Sequence, residues 1–235
     1  AEMLRELGAA DGRVGVEWHA YGLTAREGQR LAEALDGLCR LEDASELVSR
    51  LRLVKSEEEL VYVRRAAELA DSAYRAALDT AAPGVDEGEI LAAMQAAIWR
   101  GGGDDPANEQ IIGSGPGALM CRYFTGRRRL DAVDQLTLEF AGVFRHYHAA
   151  LMRTIPIGRP PDRQLAMHDA ALSALSAATD ALVPGRPLGD VFEAHARALD
   201  RAGFSSARMN ACGYSLGATF APNWMDFAEE SMFFA

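Results

Sequence analysis

The sequence predicts an α+β fold, and three features of its patterning carry that prediction. Two helical stretches with apolar residues every three or four positions occupy residues 56–100. A pair of strand-like stretches then spans residues 135–157, and a second pair of helical stretches lies at about 163–202. Helices and strands thus come in blocks, unlike the strand–helix–strand alternation that builds a parallel sheet.

The elements follow in order. Val14–Glu17 is a short apolar strand, and Thr24 to Leu38 reads as a helix. Leu47 to Val54 then leads to Lys55. Ser56 with Glu59 fits a capping box that opens a long helix, with Leu60, Val63, Ala67, Ala70, Tyr74 and Ala77 at helical spacing. Pro83-Gly84 ends it. Asp86 with Glu89 starts the next helix, through Ile90, Met94 and Ile98, and Gly101 to Gly103 closes it. Gln110–Ile112 and Cys121–Phe124 are short strand candidates. From Gln135 to Val143, Leu136, Leu138 and Phe140 alternate with Thr137, Glu139 and Ala141, so the two sets face opposite sides of a sheet. Tyr147 to Ile157 reads as the partner strand, joined through a tight turn at Phe144-Arg145-His146. Helices at about Arg163–Leu182 and Leu188–Ala202 flank Pro184–Pro187. A glycine-rich stretch, Asn210 to Gly217, then leads to Ala221–Trp224.

Bulk composition excludes several function classes. The chain has 235 residues, 49% apolar and 25% charged, the balance of a globular protein with a sizeable core. Its formal charge of −10 repels nucleic acid phosphates, so no nucleic acid partner is expected. The three cysteines, Cys39, Cys121 and Cys212, lie far apart and suit neither a disulfide framework nor a structural zinc site. A reducing, cytoplasmic setting is the expectation. The N-terminus has no signal-peptide pattern and no run of apolar residues is long enough to span a bilayer, so no membrane partner is expected. The chain opens at Ala1 and stops on Met232-Phe-Phe-Ala235, an apolar end suited to a core, so more protein is expected to follow.

Among single residues, Glu139 stands out as a charge in the middle of an apolar strand, which must be paired, solvated in a cleft or functional. An ordinary solvent-facing strand glutamate is the equal competing reading. Arg145-His-Tyr-His148 sets His146 and His148 on one face and Tyr147 on the other. Imidazoles there suit acid–base work or substrate contact, whereas a polar hairpin turn accounts better for His146. His168 lies on a stripe with Leu165, Leu172, Leu175 and Leu182 and reads as a core histidine. Arg127 to Arg129 suits an anion, but reads more simply as solvated charge in a turn. Gly113–Gly117 lacks the lysine and strand-to-helix setting of a phosphate loop, and no close histidine pair suggests a metal.

Taken in order, these segments resemble the pita-bread family of methionine aminopeptidase, proline-specific aminopeptidases and creatinase. The resemblance rests on Lys55 to Glu59, Ser114 to Ala118, the strand holding Glu139, Tyr147 to Thr154, and Gly213 to Gly217. It implies a pita-bread catalytic domain over residues 51–235 and, over residues 1–50, the tail of an α/β N-terminal domain. The family's metallopeptidases hold metal with an aspartate where this chain has Glu139, with another where it has Ala150, and with a histidine where it has Tyr214. Two further glutamate ligands would fall beyond Ala235. The resemblance therefore implies no metal and no cofactor, since alanine cannot coordinate. Creatinase is the metal-free precedent, but its catalytic histidine falls near Arg122 and its guanidine-binding glutamate on Met152.

Longer runs, Ala107–Gly115, Asp134–Glu139, His146–Thr154 and Asn210–Ala218, are similar to bacterial ectoine hydrolases. That similarity implies a cytoplasmic homodimer that opens the cyclic amidine of ectoine, a small molecule, to N-acetyl-2,4-diaminobutyrate, with a deacetylase acting next. The site residues it suggests are Glu139 as nucleophile or base, His148 or Tyr214 as proton carrier, and Arg122 on the substrate carboxylate, with Tyr147 and Trp224 as further contacts. A creatinase-like amidinohydrolase, an Xaa-Pro aminopeptidase relative and a non-catalytic binding module are the alternatives.

Overall fold

A computed structural model describes residues 1–119 and 127–226 of the chain. The chain divides into two compact units between Val54 and Lys55. In the first, β1 (Arg13–Val16) and β2 (Arg40–Asp43) pair in parallel, with α2 (Ala25–Leu35) as the crossover between them. Two short helices, α1 (Glu2–Glu6) and α3 (Leu47–Arg52), lie outside that βαβ element. Thr24 caps α2 by accepting the Glu27 N–H. The sequence reading missed β2, whose four residues Arg-Leu-Glu-Asp carry no apolar alternation. Cross-strand charge marks it instead: Glu42 forms ion pairs with both Arg13 and Arg40.

The second unit opens with α4 (Glu57–Thr80), capped as expected by a reciprocal Ser56–Glu59 box. Three glutamates in its first turn favour the positive end of the helix dipole. Its buried stripe runs through Ala66, Leu69, Ala70, Ala73 and Ala77, whereas Ala67, expected inside, is exposed. The shift follows from close packing, because four of those five residues are alanines that bring the helix backbone down onto the sheet. There it meets Gly142, where an added Cβ would lie 2.1 Å from the Ala66 carbonyl oxygen and 2.3 Å from the Ala70 nitrogen. α5 (Glu87–Arg100) buries Ile90, Met94 and Ile98 alongside it, with Asp86 as its cap.

β3 (Ile111–Ser114), β4 (Asp134–Phe144) and β5 (Tyr147–Ile157) form one antiparallel sheet in the order β3-β4-β5. Arg145 and His146 make the β4–β5 turn, both at positive φ (50° and 66°), the geometry of a two-residue hairpin matched to strand twist. One sheet face carries Ile112, Leu136, Leu138, Phe140, Ala149 and Ile155 into a core shared with α4 and α5. The other face carries Glu139.

α6 (Asp162–Ala181) and α7 (Leu188–Arg201) pack on each other, α6 burying only Ala170 and Ala174. This corrects the reading of His168. Leu165, Leu172, Leu175 and Leu182 are about half exposed, and the His168 side chain is 63% exposed. The two alanines, not the leucines, form the buried contact. No helix among the described residues is long and apolar enough to cross a membrane.

Candidate functional site

Strand register defines the site. Directly paired residues of an antiparallel sheet point to the same face, so Glu139 shares its face with Ile111 on β3 and Met152 on β5. Next along, Thr137 faces Thr154, Ala141 faces Ala150, and Val143 faces His148. Glu139 is partly buried, while Met152 and Thr154 beside it are exposed, so the glutamate lies at the edge of an accessible face. Among these paired positions it is the lone carboxylate.

The far end of this face is covered by the glycine-rich segment. His148 N–H donates to the Gly217 carbonyl, Thr219 N–H donates to the His146 carbonyl, and Ala218 bridges to Tyr147. The segment then doubles back, Leu216 bridging Met225 and Asp226 N–H donating to the Ser215 carbonyl. Only glycine fits at 217, since a Cβ there would lie 2.2 Å from the Asp226 carboxylate. That carboxylate, 4% exposed, forms a 2.8 Å ion pair with Lys55 at the entry to α4. Ala107, Ala141, Val143 and Trp224 form a small core here, with Ala150, Tyr214 and Met225 packed against it.

The expected site residues separate in this geometry. Tyr214 packs against the small core that contains Ala141, the next residue after Glu139 on its face of β4. His148 is fully buried and works inside the protein. Its Nε2 accepts the Ala107 N–H at 2.9 Å, which fixes Nδ1 as the protonated nitrogen, donating to the His146 carbonyl at 2.8 Å. Thr219 Oγ1 lies 3.0 Å from the same Nδ1. With both nitrogens engaged, His148 ties the Ala107, His146 and Thr219 segments together. Trp224 is 2% exposed and donates its indole N–H to the Tyr214 hydroxyl at 3.0 Å. It lies in the small core with Ala107, Ala141 and Val143. Tyr147 lies on the opposite face of β5, its hydroxyl donating to Glu59 at 2.9 Å and its ring against Tyr62. The alternation that places His148 on one face sends Tyr147 to the helix side, so it joins β5 to α4 and does not contact this face. Arg122 and the Cys121–Phe124 strand candidate lie outside the described residues.

Burial holds the His148 imidazole below its usual value of 6.5, although its hydrogen bonds oppose the shift. An unfolded chain therefore takes up the proton first as pH falls. The contribution to stability is complete above about pH 6.5 and is lost as pH drops towards the folded-state value. His195 is lowered for the same reason. Unfolding free energy should thus fall as pH drops below about 6.5, and His148→Gln should flatten that slope. A slope unchanged by the substitution would show that His148 is not buried and neutral.

Sequence reasoning missed the buried Glu87. Its carboxylate accepts from Ser114 Oγ at 2.5 Å and from the backbone N–H groups of Arg127 and Arg128. Arg128 in turn pairs with Asp131 and Asp134 and reaches Ser114. The Arg127–Arg129 turn is therefore tied to α5 and β4, the 30% exposed Arg128 guanidinium pairing with two carboxylates while Arg127 and Arg129 are exposed. Burial of a glutamate in the first turn of a helix has no local signal, since that position is usually a solvated one.

The profile of metallopeptidase family M24 matches residues 61–232. The chain is 31% identical over 226 residues to an uncharacterised hydrolase/peptidase of Sinorhizobium fredii, covering 94% of this chain and 57% of that relative. It is 27% identical over 231 residues to the ectoine hydrolase of Halomonas elongata, with the same coverage of 94% and 57%. Its fold is similar to that of the Xaa-Pro dipeptidase from Bacillus anthracis, with a TM-score of 0.81 at 23% identity, over 98% of this chain and 64% of that one. The fold is the pita-bread fold, and the chain spans little more than half the length of these curated relatives.

Proposed function

We infer that this chain, which belongs to metallopeptidase family M24, keeps a hydrolytic face from which the metal centre has been lost. The observation that carries this reading is the pairing of Ala141 with Ala150 next to Glu139, the one carboxylate among the paired positions of that face. The residues present do not fit a dinuclear metal site. Ala150 offers no donor atom, and the Tyr214 hydroxyl oxygen already accepts an indole N–H. Among the described residues no group of three His, Cys, Asp or Glu side chains is close enough to hold a metal ion.

In this reading the Glu139 carboxylate acts on the substrate itself. An amidinium is the natural partner for one anion on a face of alanine, isoleucine, methionine and threonine, because the desolvated pair gains both charge and hydrogen bonding. We therefore read the substrate as a small cyclic amidine, and ectoine in particular, in line with the similarity to ectoine hydrolase. Glu139 deprotonates a water that adds to the amidinium carbon, or adds to that carbon itself to form, after ring opening, an imidoyl ester that a second-step water hydrolyses to free the carboxylate and release the amide. The tetrahedral centre collapses with cleavage of one ring C–N bond, and the departing nitrogen takes a proton from Tyr214. The open product is an N-acetyl-2,4-diaminobutyrate, whose consumption calls for a deacetylase. Arg122, with its planar fork, is assigned to the substrate carboxylate. A cytoplasmic homodimer is part of the same proposal.

The test is incubation of the protein with ectoine, creatine and an Xaa-Pro dipeptide in parallel. Ring-opened product from ectoine alone is the expected result. Release of proline, or hydrolysis of creatine at a comparable rate, would replace this reading with a peptidase or a creatinase-like one.

A further inference from the structure

We propose that Trp224 is a positioning residue for Tyr214, setting the phenol as a proton donor towards the Glu139 face. The inference rests on the reading of Tyr214 as the group that protonates the departing ring nitrogen. Trp224 lies in the small core of Ala107, Ala141 and Val143, 2% exposed, and its indole N–H has one acceptor, the Tyr214 oxygen at 3.0 Å. Indole donates only, so the direction of this bond is not in doubt. A phenol oxygen that accepts a hydrogen bond sends its own O–H along another direction. Tyr214 packs against the small core of Ala107, Ala141, Val143 and Trp224, and Ala141 and Val143 lie on the same face of β4 as Glu139.

The same bond makes the phenol a better acid, because a donor on the oxygen stabilises the phenolate left after proton transfer. The indole is itself fixed. The backbone carbonyl of Trp224 accepts from Thr219 Oγ1 at 3.3 Å, and Thr219 also contacts His148, which is bonded to Ala107 and His146. The backbone that carries the indole is thus tied into a buried network.

Trp224→Phe keeps a buried ring and removes the N–H. Turnover of ectoine should fall about five- to tenfold, the size expected from one neutral hydrogen bond, with KM within about twofold. Tyr214→Phe should cost more, and the double variant should equal Tyr214→Phe alone, since Trp224 acts only through the phenol. Additive losses, or a change confined to KM, would overturn the proposal. Should Trp224→Phe fold poorly, benzothienylalanine placed at position 224 keeps the ring size and removes only the donor, and the same outcomes apply. If the parent protein does not open ectoine, the functional reading fails while the positioning claim is still decided by ultraviolet difference titration. The Tyr214 phenol, isolated by comparison with Tyr214→Phe, should ionise at higher pH once the indole N–H is gone. Glu139, His148, Cys212 and the Lys55–Asp226 pair are the same in both proteins, so the difference reports the N–H. An unchanged phenol titration would overturn the proposal.

Discussion

Glu139→Gln should lower ectoine turnover by about 10²–10⁴-fold, the range for loss of a general base, while leaving the fold intact. Glutamine has the same shape and keeps hydrogen-bonding capacity, but has neither charge nor basicity. Glu139 sits between Ile111 and Met152 on the accessible face, with no second carboxylate at the paired positions to take over its role. The hydrophobic core lies on the other side of β4, through Leu138 and Phe140, so the substitution does not touch it. Unfolding temperature and turnover should be measured on the same preparation. A folded variant turning over within about threefold of the parent would remove Glu139 from the mechanism.

Gly142→Ala should be the most damaging single methyl group in the second unit. The added Cβ would lie 2.1 Å from one backbone atom of α4 and 2.3 Å from another, so no side chain can move aside to admit it. The helix must lift from the sheet, opening the alanine stripe at Ala66 and Ala70. Overpacking of well-packed cores costs about 1–3 kcal/mol, and this contact with rigid backbone should reach about 3 kcal/mol or more. In a unit of this size that is a fall of about 6–12 °C in Tm. Gly189→Ala in α7, where nothing lies within 4 Å of the new Cβ, is the control and should be neutral or slightly stabilising. A Gly142→Ala variant as stable as that control would mean that α4 does not approach the sheet so closely.

These two residues also show what the sequence could and could not reveal. Glu139 was legible because strict alternation from Leu136 to Ala141 gave its strand and its face, and a charge in such a strand is conspicuous. The capping box at Ser56, the turn at Arg145-His146 and the division of Tyr147 from His148 were legible for similar local reasons. Gly142 was not, because its meaning lies in a helix about seventy residues earlier in the chain. His168 was misplaced because on α6 the alanines, rather than the leucines, make the buried contact, and Ala67 because the buried stripe of α4 runs through its neighbour Ala66 instead. Trp224 and Tyr214 were recognised as important, yet their mutual hydrogen bond depends on the segment from Leu216 to Met225 folding back on itself. The burial of Glu87 and the Lys55–Asp226 pair had no periodic signal, since their partners are remote in sequence.

The central claim is that this member of a metallopeptidase family hydrolyses its substrate without metal, and elemental analysis of active, full-length protein during ectoine turnover tests it most directly. The account predicts substoichiometric metal and unchanged turnover after exhaustive chelation. Two tightly bound metal ions per protomer, with activity lost to the chelator and restored by adding metal back, would contradict it.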